Sequence, residues 1–508
     1  MNAYIDVGVV RVQRYLARPR HLRTQRGGSE LIKFATSKLP RVPDEFAEPN
    51  AKIVPVNGQE WDPVAEYCRG LEDEGCPGWT RNDAAGDIAG VVSVVNHGEE
   101  DLSKEQLRKC ARLLMGRLRE ELPNAELEAY GVSTAKTYVE AYDEMHAQAP
   151  LGTALPLWTD FPGLLPCDEC GASPVTAGKT LTDPDTKVET SLRVCDDCDK
   201  RLGGRGRGKE LASQKEWLTT RTFLVEGKLL NEVIQDRRNR LGAEATVGVA
   251  EDFAHLADLQ LGSDRTNHLA TVWIDGDSIG ERFKSLENPK LRQEAVAKLS
   301  QATEQALIRA SLAVCEDRYD KCPVIPHVLG GDDVLVTLVA SKAWQFARAF
   351  LKVFEEATKE WLPGTTVSAA MVFARQNYPF AAQLDRAEEL LGKTKRYGAR
   401  YRSDPDHQQS SCVGWVDLTR EESLAMSEFC LSLQEIEEIS GNLDRLNKEV
   451  STTQRQTWIR LLGDEDAVHA RNRLYSDAQR AGNLAEVRQV FPNNKLLRQR
   501  LEMLRWWS

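Results

Sequence analysis

Three acidic residues hold the richest chemistry in this sequence. Gly330-Gly331-Asp332-Asp333 lies between PVIPHVL and VLVTLVA, so two carboxylates sit at a tight turn joining neighbouring β-strands. Carboxylates this close repel each other and raise each other's pKa unless a cation neutralises them, which makes a buried metal-free pair costly. Gly-Gly-Asp-Asp is also sound composition for any solvated turn. The run Trp273-Ile274-Asp275-Gly276-Asp277-Ser278-Ile279-Gly280 shifts that balance, because an apolar strand there ends in acids and passes through glycines into a helix. With this strand beside the hairpin, Asp275 joins Asp332 and Asp333 around two magnesium or manganese ions, and the Ile274 carbonyl completes the ligand set. Backbone groups of Gly276, Asp277, Ser278 and Gly280 then face a triphosphate. A two-metal centre of this kind suits nucleotidyl transfer, in which an activated ribose hydroxyl displaces pyrophosphate. Further along, Lys393 and Lys395 offer cations to balance phosphate charge, although a basic helix C-terminus is also favoured by the macrodipole alone.

A second constellation is Cys167-x-x-Cys170 and Cys195-x-x-Cys198, two knuckles separated by 24 residues. Each places two thiolates on one metal, and together they complete a closed tetrahedral site, which makes structural zinc the expected occupant. Gly171 follows the first pair, where a knuckle turn calls for positive φ. The arginine-rich run Arg11 to Arg26 reads either as an RNA or partner contact or as a solvated helix face. Trp506-Trp507 reads either as a docking anchor or as core packing.

These residues need elements to position them. From His268 the hydrophobic pattern runs β-α-β-β-α-β, the order of a ferredoxin-like domain. The first 150 residues alternate short β-like runs with helical stretches such as Leu102 to Glu121, an α+β pattern. No convincing strand pattern follows Val416, and the remainder reads as helices. The expected organisation is therefore α+β with two palm-like halves. Residues 1–150 form a first, non-catalytic domain and 151–208 a Cys₄ module, followed by a helical connector over 209–262. Residues 263–418 form a second palm and 419–508 a C-terminal helical bundle. The pattern breaks at the proline- and glycine-rich run Pro150 to Pro166 and at the glycine-arginine run Asp199 to Gly208.

A chain of 508 residues, 41% hydrophobic and 28% charged, is long enough for several cores, at about 100–200 residues per domain. Its formal charge of −11 argues against a protein that coats nucleic acid by itself. Eleven cysteines form no dense disulfide framework. The N-terminus lacks a signal-peptide pattern and no stretch is long and apolar enough for a membrane span, so a cytoplasmic location without membrane contact is expected.

Four ordered pieces resemble the large palm-domain subunit of type III CRISPR effector complexes, of the III-B kind. They are VGVVRVQRYLARPRHLRTQRGGSELI, the paired C-x-x-C insertion, DGDSIG before LGGDDVLVTL, and YPFAAQLDRAEELLGKTK. The resemblance implies two ferredoxin-like palms and, where the GGDD turn is intact, conversion of ATP to 3′–5′ cyclic oligoadenylates when the complex holds target RNA. It implies metal ligation by Asp275, Asp332 and Asp333, close nucleotide approach at Gly330 and Gly331, and phosphate contact by Lys393 or Lys395. Its partners would be the other subunits of the ribonucleoprotein and, largely through them, guide and target RNA. The His-Asp nuclease motif that many relatives carry at their start has no counterpart in these residues, so no DNase activity is expected. Two further readings remain. A stand-alone diguanylate-cyclase-like enzyme shares the Gly-Gly-Asp turn, but such enzymes usually follow it with an acid and an aromatic residue where this chain has Asp333-Val334. The other is a catalytically silent scaffold within the same complex.

Overall fold

The computed structural model describes residues 1–38, 62–86, 90–156, 163–182, 189–202, 225–250, 252–259, 267–284, 289–404, 409–419, 430–451, 453–454, 457–458, 467–482, 484–491 and 494–507. Two compact units divide the chain: Met1–Asn231 with Phe283–Lys298, and Glu232–Arg282 with Leu299–Ser508.

In the first unit β1 (Asn2–Val10), β2 (Trp79–Arg81), β3 (Val91–Asn96), β4 (Glu126–Thr134) and β5 (Gly152–Ala154) form an antiparallel sheet in the order β2-β3-β1-β4-β5. The helix Lys104–Glu121 starts at a capping box of Ser103 and Gln106 and buries Leu107, Cys110, Ala111, Leu114, Met115 and Leu118 at spacings of three and four. A second box, Thr137 with Glu140, starts the helix Tyr138–Ala147, whose Tyr138, Ala141 and Met145 pack with Tyr4 and Val95. β6 (Ala177–Thr182) and β7 (Glu189–Val194) make a separate hairpin, and the short helix Asp196–Arg201 follows it. The glycine-arginine run after Leu202 and residues 157–162 of the proline-rich run lie outside the described residues.

The second unit holds β8 (His268–Gly276), β9 (Val324–Gly330), β10 (Asp333–Val339), β11 (Val367–Arg375), β12 (Cys412–Asp417) and β13 (Cys430–Ser432), in the order β13-β12-β11-β8-β10-β9. The inner order β11-β8-β10-β9 repeats β4-β1-β3-β2 of the first sheet, so both units share the ferredoxin-like arrangement. β8 lies between two neighbours and is buried nearly throughout, which explains its unbroken apolar run LATVWI. One strand escapes the sequence pattern. Cys430–Ser432 pairs antiparallel with β12 after Val416, and three residues are too few to display alternation.

Helices Leu433–Glu449, Ala467–Ala481, Leu484–Val490 and Asn494–Trp506 follow. Trp506 stacks on Phe373 of β11 at 4.9 Å, with its indole N–H donating to Asp417 at 3.0 Å, and Trp507 donates to Asp444 at 2.7 Å. Both tryptophans are core residues, so the packing reading holds over the docking one. Among the described residues no helix is long and apolar enough to cross a membrane. Truncating a buried Trp costs roughly 3–5 kcal/mol. Trp506→Ala is expected to lower the denaturant midpoint of the second unit accordingly; a loss below about 1 kcal/mol would show that the C-terminal helix does not brace the sheet.

Candidate functional site

Strand alternation decides which side chains meet at the end of the second sheet. On β8, Thr271, Trp273 and Asp275 share one face, while Ala270, Val272 and Ile274 point into the core on the other. The helix Phe380–Arg402 covers the first of these faces: Thr271 donates to Gln383 at 2.7 Å, and Lys395 reaches Asp275 at 2.5 Å. Helix and strand thus run in the same direction, which delivers Lys395 to the strand's acidic end. Lys395 Nζ also donates to the Gly276 carbonyl at 3.0 Å.

The β9–β10 hairpin closes between Gly330 and Asp333, leaving Gly331 and Asp332 as a two-residue loop. Gly331 has φ +60° and Asp332 a negative φ, the pattern of a II′ turn, which asks for glycine first. Asp333 accepts from the Trp273 indole at 2.6 Å, a diagonal contact across β8 and β10. Asp332 lies against Gly276: a Cβ at that glycine would stand 2.3 Å from Asp332 Oδ2 and 2.3 Å from Ile279 Cγ1. Any larger residue at 276 would push the carboxylate away. Burial, with the Asp275 charge as a second cause, raises the Asp332 pKa above the usual carboxylate range.

The remaining sequence candidates divide. Asp277 is buried and its carboxylate faces the scaffold, accepting from Thr366 at 2.9 Å, Ser368 at 2.7 Å and Arg402 at 3.1 Å. Next to it Ser278 takes φ +56°, a left-handed turn that this anchored carboxylate holds in place. Lys393 pairs with Glu389, four residues back on the same helix, at 3.0 Å. Added Cβ atoms at Gly280, Gly330 and Gly331 would meet nothing within 4 Å, so the backbone there is open to a ligand. Sequence reading assigned no role to Trp273, Arg402, Thr366 or Ser368, whose partners lie 60 to 125 residues away in the chain.

In the first unit the Sγ atoms of Cys167, Cys170, Cys195 and Cys198 all lie within 4.8 Å of one another. Zinc–thiolate bonds of about 2.3 Å imply tetrahedral edges of about 3.8 Å. Cys170 and Cys195 stand 3.8 Å apart, so the donor set fits zinc. The three aspartates do not meet within that distance, and among the described residues the cysteines are the group of potential ligands that does. Sulfur hydrogen bonds from the other three drive Cys170 far below the ordinary thiol range and push Cys198 up, the behaviour of thiols too close to ionise together without a cation. Asn124 and the Cys198 backbone N–H each reach Cys195 Sγ at 3.5 Å.

Within the basic N-terminal run Arg11, Arg14 and Arg20 are exposed, while other side chains pack beside this module. Arg18 donates to the Asn124 carbonyl at 2.9 Å, Tyr15 to Asp197 at 2.7 Å, and His21 Nδ1 lies 2.6 Å from Glu169.

The second sheet is ferredoxin-like, with acids at the end of its central strand and on the neighbouring hairpin. Residues 268–402 match the family model for Cas10/Cmr2, second palm domain. No curated protein sequence matches the chain. Among solved structures, Csm1 in T.onnurineus is similar over 99% of this chain and 69% of its own, with TM-score 0.53 and 11% identity, a likeness of fold. The apo Csm1-Csm4 cassette is similar over 99% and 70%, with TM-score 0.49 and 14% identity. The cassette in complex with cA3 is similar over 78% and 53%, with TM-score 0.43 and 13% identity, so the chain spans about half the length of that relative.

Two outcomes follow from this geometry. Cys195→Ser or strong chelation is expected to remove zinc and speed hydrogen exchange in the helix Leu22–Thr36, which packs on the module; unchanged exchange after metal loss would sever that link. For Asp332 the folded pKa exceeds the unfolded one, so its contribution is intact at low pH and lost as pH rises through the raised value. In metal-free buffer Asp332→Asn should therefore gain stability relative to the parent as pH rises above the ordinary aspartate value. A difference that does not change with pH would refute this sign.

Proposed function

We propose that this chain is the cyclase subunit of a type III CRISPR ribonucleoprotein, converting ATP to 3′–5′ cyclic oligoadenylates when the complex holds target RNA. The observation that carries the reading is the gathering of Asp275, Asp332, Asp333 and Lys395 at one end of a sheet, within the segment matched by the Cas10/Cmr2 second palm. Asp275, Asp332 and Asp333, with the Ile274 carbonyl, would hold two divalent cations. Such ions, when bound, lower the pKa of the attacking ribose hydroxyl and neutralise the departing pyrophosphate. The chain's own residues do the rest. Open backbone at Gly330 and Gly331 admits the nucleotide, and the Asp277-anchored turn over Gly276, Ser278 and Gly280 presents N–H groups to phosphate. The 3′ oxygen then attacks the α-phosphorus, the bond to pyrophosphate breaks, and the hydroxyl proton leaves to solvent. Lys395 would follow the phosphate charge, a role supported by its contact with Asp275, whereas Lys393 pairs with Glu389.

Complex assembly belongs to the same proposal. Guide and target RNA would be held largely by partner subunits, consistent with a formal charge of −11, and the III-B-like assignment is read from which subunits co-purify. Structural zinc would fold the Cys₄ module, and the first sheet would serve as a non-catalytic partner palm.

The complex incubated with target RNA, ATP and Mg²⁺ should yield cyclic oligoadenylates, with Asp332→Ala/Asp333→Ala reducing product about 100-fold or more. Equal product from the double variant would discard the metal assignment. Product from GTP by the isolated chain without RNA would favour a stand-alone cyclase, and no metal-dependent ATP binding under any condition would favour a silent scaffold.

A further inference from the structure

The contact between Lys395 and Asp275 carries an inference about how the proposed site loads. Lys395 Nζ is held by a carboxylate oxygen at 2.5 Å and by the Gly276 carbonyl at 3.0 Å. A carboxylate oxygen together with a backbone carbonyl is also a donor pair suited to a hard divalent cation. An ammonium and a divalent ion cannot share one carboxylate oxygen at such range without strong repulsion. The charge of Lys395 also acts on Asp332, so one ammonium serves both acids.

We propose that Lys395 is a built-in counter-cation that occupies the metal position at Asp275 until nucleotide phosphate draws it away, so that metal and nucleotide load together. The proposal rests on the nucleotidyl-transfer reading and adds the order in which its parts assemble. The helix itself cannot carry this exchange. Thr394 is buried and sits so close to β12 that a Cβ at Gly414 would lie 2.2 Å from its hydroxyl. The lysine stem can, because it is flexible and the pair is only partly buried, at 35% and 32% side-chain exposure. An ion pair with that much solvent access is weak enough to be exchanged. A triphosphate supplies the released ammonium with a new anionic partner, and the vacated oxygen then accepts the metal. By linkage, each ligand raises the affinity for the other.

The test measures Mn²⁺ binding to the full chain by the loss of the free-ion EPR signal, with and without a non-hydrolysable ATP analogue. Without nucleotide, Lys395→Met is expected to bind Mn²⁺ about ten-fold tighter than the parent, within the usual range of coupling between sites. It should also bind the analogue more weakly and lose the nucleotide-dependent gain in Mn²⁺ affinity. Lys395→Arg retains the cation and should keep the parent's weak affinity. Asp275→Asn separates the possible failures. If Mn²⁺ binding depends on Asp275 but Lys395→Met leaves it unchanged, the exchange is overturned and the metal site stands. If Asp275→Asn leaves every Mn²⁺ isotherm unchanged, the metal reading itself fails and the exchange falls with it.

Discussion

Acidic side chains crowded where β8 ends and β10 begins must be neutralised, and that requirement organises the second sheet. Pleat parity puts Asp275 on the face covered by the helix Phe380–Arg402, while the II′ turn carries Asp332 back against Gly276. Each carboxylate meets a different answer. Asp275 takes an ammonium, Asp333 takes an indole N–H, and Asp332 takes mostly burial, which is why its pKa rises. Asp277, one turn further on, is paired with Arg402 and two hydroxyls and drops out of the charge problem. Such a fully bonded acid supports a neighbouring turn, whereas an acid resting on a movable lysine is poised to change partners.

The first sheet shows what the same topology does without that crowding. Its central strand also carries an acid, Asp6, but this one sits mid-strand, accepting from Ser93, from Tyr138 at 2.8 Å and, on the same oxygen as Tyr138, facing His146 at 3.1 Å. Burial and the Asp6 charge push Tyr138 well above the ordinary phenol pKa, so it remains a donor to that carboxylate. A mid-strand acid enclosed by its own donors belongs to packing. The same acid class at a strand end, beside a hairpin and an open backbone, is accessible to a ligand. Position along the strand separates the two sheets more than topology does.

Much of this was legible in the residues. The apolar run ending at Asp275, the glycines of the hairpin and the C-x-x-C spacing each encode a local constraint, and local constraints survive in a linear string. Choices between near-equivalent residues did not. Lys393 and Lys395 are two positions apart, and helical geometry turns one toward Asp275 and the other toward Glu389. What the Asp277 carboxylate touches is likewise set far away, by Thr366 just before β11 and Ser368 on it. The arginine-rich start reads as an RNA or partner contact or as a solvated face, and the neighbours that Tyr15 and His21 meet there, Asp197 and Glu169, come from an insertion more than a hundred residues later.

That insertion explains the glycine pair inside the helix Leu22–Thr36. A Cβ at Gly27 would stand 2.0 Å from the Arg201 carbonyl, so only glycine lets this helix approach the helix Asp196–Arg201. At the contact the fully buried Arg201 guanidinium pairs with Asp197 at 2.7 Å, lies 3.9 Å from the Tyr15 ring and donates to the Tyr15 carbonyl at 3.0 Å. A buried ion pair earns little net stability, but losing either partner is costly, so it strongly discriminates against misplaced arrangements. Its geometry depends on a six-residue helix capped by Cys195 and containing Cys198, too short to persist on its own. Whatever binds the four cysteines therefore also decides whether Arg201 and Asp197 meet Tyr15. The module is tied to the first sheet by chemistry that only a folded, metal-ready knuckle can present.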